Sequence, residues 1–221
     1  MEDNYEKGLV SLLNIVLFVV PLVNIVFTSI YLYNSAEFIN LLVSQPLKRT
    51  HIWLSMFIGL ASALTLSFII GVALPTFIYA FSISGLTLIG CGILLSLIFV
   101  SIAMWTSVLI RDKSKGIGLA ILLWLYFGLL FDALVLFMLF QFSDYPIENL
   151  MVALSMFNPI DISRILILLE LDLSAMMGYT GAIFRDFFGT ALGMGITLFI
   201  MILWCAIPVG LSLRVFKKKD L

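Results

Sequence analysis

The chain has 221 residues, 62% of them hydrophobic and 11% charged, with a formal net charge of −1 and a mean hydropathy of +1.18. Soluble domains carry about 25% charged residues, so this chain lacks the polar groups to cover a water-facing surface. The bilayer must be the solvent for most of it, and no nucleic-acid partner is expected.

A spanning helix needs about 20 apolar residues, so the length allows five or six spans and leaves no room for a separate globular domain. The apolar runs are continuous, not alternating, which favours helices over a barrel. The first, 9–33, follows an acidic head containing Glu2, Asp3 and Glu6. It is too long for the core of a signal peptide and has neither a basic leader nor a small-residue cleavage site. It reads as a retained span. Segment 34–51 is polar at its start, amphipathic in its middle, punctuated by Pro46 and closed by Lys48, Arg49 and His51. The second span, 53–80, carries Gly71 and Pro75 near its far end; the third covers 86–110 and stops at Arg111-Asp112-Lys113. The fourth, 116–140, stops at Asp144-Tyr145-Pro146.

From 147 to 187 the pattern breaks. Asn158, Pro159, Asp161, Arg164, Glu170, Asp172, Arg185 and Asp186 interrupt short apolar stretches. No clean spanning window remains, so short interfacial or re-entrant helices are predicted. The last span, 188–214, holds Pro208 and precedes Lys217-Lys218-Lys219.

Alternating five spans puts Lys48, Arg49, Arg111, Lys113, Lys115, Arg214 and the Lys217–Lys219 cluster on one side, which the positive-inside rule makes cytoplasmic. Lys7, Arg164 and Arg185 fall on the other side, with most of the acids. A full extra span within 147–187 would throw the C-terminal lysines outside. The predicted fold is therefore an all-α polytopic membrane protein: five spans in a single transmembrane domain, a cytoplasmic helix at 34–51 and an extracytoplasmic re-entrant segment at 147–187. An outside N-terminus without a signal sequence is less usual than a cytoplasmic start. A first helix carried by relatives and missing from this chain is expected.

Residues able to carry chemistry are few. The zincin, serine-hydrolase and phosphate-loop motifs are missing from the sequence, so no catalytic, cofactor or metal site is predicted. The single histidine, His51, sits beside Lys48 and Arg49. Asp132 is an acid within an otherwise apolar span. A carboxylate there is costly and marks either a functional position in passage or gating, or a hydrogen bond to a neighbouring helix. Met151, Met156, Met176, Met177 and Met194 raise a cuprous site, but thioethers also serve as flexible packing. Cys91 and Cys205 lie in apolar runs and read as small hydrophobes. Gly189 and Gly193 form a GxxxG that permits close helix approach.

Residues 37–49, from Glu37 through Leu41-Leu42-Val43-Ser44-Gln45-Pro46 to Arg49, resemble the "E…LLLSQPxxR" coupling region of ABC-2-type transporter permeases. Residues 52–60 are similar to that family's next span. Residues 11–22, 158–164 and 177–182 resemble the nitrous-oxide reductase maturation (NosY-like) branch. The resemblance implies a homodimeric permease of the bacterial inner membrane, in contact with membrane lipids. It also implies a separate cytoplasmic ABC ATP-binding subunit that holds the ATP, so the chain itself is not an enzyme. Glu37, Gln45, Pro46, Lys48 and Arg49 become the ATPase-coupling candidates, with Asn34 at the lever's other end. The branch implies export of a small cargo, a sulfur species or copper, for maturation of an extracytoplasmic copper enzyme. The alternative is a non-transporting scaffold that relays ATPase-driven motion to an extracytoplasmic accessory protein.

Overall fold

A computed structural model describes residues 2–79, 81–142, 148–171, 184–185 and 187–218. Among them the only regular structure is helix: α1 (Glu2–Asn34), α2 (Ala36–Ser44), α3 (Arg49–Phe68), α4 (Leu74–Tyr79), α5 (Ile83–Leu109), α6 (Lys113–Leu125), α7 (Phe131–Gln141), α8 (Glu148–Ser155), α9 (Pro159–Glu170) and α10 (Ala191–Lys218). Wide π-turns at Ile69–Ala73 and Tyr126–Leu130 join α3 to α4 and α6 to α7. Five stretches are long and apolar enough to cross a membrane: Gly8–Asn34, Arg49–Tyr79, Ile83–Leu109, Lys113–Met138 and Leu192–Lys218. The protein is a multi-pass α-helical membrane protein.

Sequence chemistry sets the helix ends. Gln45 precedes Pro46, whose ring disfavours helical backbone in the residue before it, and Gln45 is extended at ψ 160°. That corner separates α2 from α3. The Ser82 hydroxyl accepts from Gly85 N–H at 3.1 Å to start α5. Asp112 accepts from Lys115 N–H at 2.9 Å to start α6, each satisfying a donor that the first helical turn leaves open.

The core is built around α5. Its most apolar window is 61% buried, against 22% for the second, fourth and fifth spans, so α5 is the inner helix and those three present wide faces to lipid. Leu95, Ile98, Phe99 and Val100 are fully buried. Ser96, Ser101 and Thr106 are buried too, but each hydroxyl donates to a carbonyl of its own helix at 2.7–3.0 Å, which removes the cost of placing it there. Gly92 lets α3 approach, because a Cβ on it would run into the Phe68 ring.

Gly189 and Gly193 have a part to play within the chain. A Cβ at either would meet the carbonyl of Arg185 or Phe187. Their smallness serves the turn of the chain into α10.

Candidate functional site

Two places concentrate polar groups in this apolar bundle. The first is the hairpin α8–α9. Asn158 caps α9, its side-chain oxygen accepting from Ile160 N–H at 3.0 Å, and Pro159 follows in the first turn, where its missing N–H costs nothing. The same amide donates from Nδ2 to the Phe127 carbonyl at 2.8 Å. Phe127 lies in the π-turn of the fourth span, a wide turn of the kind found at functional positions. Trp204, in the middle of α10, donates from Nε1 to the Met156 carbonyl at 3.1 Å. The tip of the hairpin is therefore held by the middles of two spans. At the other end of α9, Ser84 near the start of α5 donates to the Glu170 carbonyl at 2.9 Å. The chain enters the bundle to mid-depth and leaves on the side it came from, so α8 and α9 are re-entrant.

This return carries charge inward. Arg164 Nη1 stands 2.5 Å from Asp132 Oδ2 and 3.3 Å from Asp161 Oδ1. The three side chains are 24%, 28% and 10% exposed, so the cluster is partly shielded and its partners matter. Two carboxylates on one guanidinium leave an excess negative charge unless a proton is bound. In α9, which is not one of the spans, the Asp161 carboxyl is pushed up to about 8: burial contributes most, the hydrogen bond and charge of Asp132 add to it, and Arg164 and Asn158 oppose them. The cluster can hold and release a proton, and it clasps the hairpin to the fourth span.

Sequence reasoning grouped Asp161 and Arg164 with the outer charges; the structure folds both against Asp132. The signal lay in the i, i+3 spacing of Asp161 and Arg164, which puts them on one helix face, beside an intramembrane acid that needed a cation. Cys91 packs in the main core and Cys205 against it. Met151 is buried in α8, and Met194 is 37% exposed on α10. Asp144, Asp172, Met176, Met177 and residues 177–182 lie outside the described residues. Among the described residues no three His, Cys, Asp or Glu side chains gather as metal ligands.

The second place is the basic end of the bundle. Glu37, Gln45, Pro46 and Lys48 are exposed there, on and just after α2. Arg49 differs from them: its Nη1 donates to the Lys217 carbonyl at 3.2 Å, which ties the start of α3 to the last turn of α10. Trp53 reinforces that tie by donating to Ser212 Oγ at 2.9 Å and stacking on Phe216 at 4.4 Å. Lys113 Nζ donates to Asn34 Oδ1 at 2.7 Å, joining α6 to the end of α1. His51 is exposed on the first turn of α3.

Apolar spans around an inner helix, a hairpin clasped at mid-depth and a short helix at a basic end define the class as a polytopic α-helical membrane protein. Residues 15–221 match the model of the ABC-2 family transporter proteins, and the chain belongs to that family. It is 30% identical over 148 residues to the probable ABC transporter permease protein NosY of Pseudomonas aeruginosa, covering 62% of this chain and 54% of that protein. It is 25% identical over 223 residues to the protein of the same name from Stutzerimonas stutzeri, covering 95% and 79%. The chain thus spans about half the length of the first of these relatives.

Proposed function

We propose that the chain is the permease subunit of an ATP-driven ABC-2 transporter in a bacterial inner membrane, working as a homodimer with a separate cytoplasmic ATP-binding subunit. One observation carries this reading. The short helix α2 stands at the basic end, with Glu37 exposed in its first turn and Lys48 exposed just beyond it, where a cytoplasmic partner could press on it. Force there biases the bundle only if the two states differ in their contacts. The contacts that would have to differ are the Arg49 and Trp53 ties to α10 and the Trp204 bond to the hairpin tip. Beside that tip, an apolar cavity of about 670 Å³ is lined by Trp105, Phe127, Met156 and Trp204 among others. The resemblance to nitrous-oxide reductase maturation permeases connects the cargo with an extracytoplasmic copper enzyme.

The same ties support a second reading. A rigid connection from α3 through α10 to the hairpin would suit a scaffold that passes ATPase motion to an extracytoplasmic partner. Vesicles containing the permease with its ATP-binding subunit separate the two: a translocated solute favours the transporter, and ATP-coupled motion without one favours the scaffold. The docking assignment has its own test. Lys48→Glu is expected to lower co-purification of the ATP-binding subunit and its ATPase stimulation while leaving the thermal midpoint in place. Undiminished binding and stimulation would remove 34–51 as the coupling segment.

A further inference from the structure

A cavity of about 290 Å³ opens beneath α2, at the end of the bundle where α1, α5 and α10 finish and α3 begins. Its walls include Leu32, Ile39, Trp53, Val108 and Phe216, all of them buried. Its mouth is polar: Asn40 and Arg111 line it and are exposed. Arg111 gives the mouth a cation, and further cations stand at the same end of the bundle. Lys113 is bonded to the end of α1, and Arg49 is bonded to the last turn of α10 beside Lys217 and Lys218. Glu37 in the first turn of α2 and Asp112 at the cap of α6 are acids at this end.

A second observation fixes the depth of this mouth. On α2 the polar residues Glu37, Asn40 and Ser44 form one stripe. Next to them Phe38 and Leu41 are 58% and 65% exposed. Large apolar side chains flanking a polar stripe are the mark of a helix lying in the membrane interface. The mouth therefore sits at headgroup level and the apolar walls at the level of the first acyl carbons.

We infer that this cavity binds one anionic phospholipid, with its phosphodiester at Arg111 and an acyl chain along Leu32, Val108 and Phe216. Basic pockets between spanning helices on the cytoplasmic side bind such headgroups. A zwitterionic lipid would bring a cation of its own to a cationic mouth, and inorganic phosphate would leave the apolar walls without an occupant. The lipid would brace α2 against the bundle. The site stands whether or not an ATP-binding subunit docks on the outer side of that helix.

The test uses the full chain, stripped of lipid in detergent and offered phosphatidylglycerol, phosphatidylcholine or inorganic phosphate, with the bound molecules counted by native mass spectrometry. One phosphatidylglycerol per chain is expected, favoured over phosphatidylcholine by about fivefold or more and unmoved by millimolar phosphate. Arg111→Gln is expected to remove that preference, and Ala36→Phe, at an exposed position lining the cavity, to block retention at an unchanged thermal midpoint. Should Arg111→Gln fail to fold, Ala36→Phe carries the test alone. Equal retention of the two lipids, undiminished retention in Ala36→Phe, or displacement by inorganic phosphate would each overturn the assignment.

Discussion

Arg164 on α9 meets Asp132 on α7 at 2.5 Å, although 32 residues of chain separate them. The contact exists because α8 and α9 re-enter the bundle, and it lets an acid and a base share depth at which either alone would be costly. Asp161 approaches the same Nη1 at 3.3 Å. The hairpin thus depends on charge as well as on packing.

Asp132→Asn is expected to lower stability by about 2 kcal/mol, the scale of a hydrogen bond to a charged group. In a double-mutant cycle with Arg164→Gln, thermal unfolding in detergent should give a coupling energy of about 1–2 kcal/mol. Additive effects would mean that the two side chains do not act on each other.

The spans, the corner at Pro46 and the short helices within 148–171 were legible because they rest on continuous hydrophobicity and on its interruption by proline and polar residues. The clasp was harder to read. Hydropathy reports Asp161 and Arg164 as polar interruptions without saying which way they face, and the Phe127 carbonyl that receives Asn158 is a backbone group with no sequence signature. The Arg49 tie to α10 has no local signature either. The last turn of α10, where Arg49 bonds Lys217 O, is 168 residues away, beyond the reach of local pattern.

The Asp161 carboxyl makes stability depend on pH. Its neighbours are Asp132, Arg164 and Asn158. Its folded value, about 8, lies above the unfolded value of about 3.9, so the folded state binds the extra proton between the two. That contribution is whole below about pH 4 and is lost as pH rises toward 8. Asp161→Asn should flatten the thermal midpoint across this window. A variant that keeps the wild-type slope would place the titrating group elsewhere.

Gly92 governs how closely α3 and α5 approach. Alanine there forces the buried Phe68 ring aside, and overpacking of this kind costs about 1–3 kcal/mol. In a Phe68→Leu background the cost of Gly92→Ala should shrink, since the obstructing ring is gone. Chemical or thermal unfolding of the parent chain and the three variants measures this, and an undiminished cost would show that the ring is not the obstacle.

Thr28 presents the opposite case, a polar group in the core that gains nothing. It is fully buried on α1; among the described residues its hydroxyl finds no hydrogen-bond partner, and neither does the amide nitrogen of Asn24 one turn earlier. Their neighbour Ser29 is satisfied, donating to the Ile25 carbonyl at 2.7 Å. A buried hydroxyl without a partner carries its desolvation cost uncompensated, so a methyl of similar shape should be preferred there. Thr28→Val is expected to raise stability by about 1 kcal/mol, while Ser29→Ala, which loses a formed bond, should not. The thermal midpoints of the two variants decide the matter. A drop in Thr28→Val would show that this hydroxyl is engaged within the assembled protein, and would make the α1 face carrying Asn24 and Thr28 a place to look for what engages it.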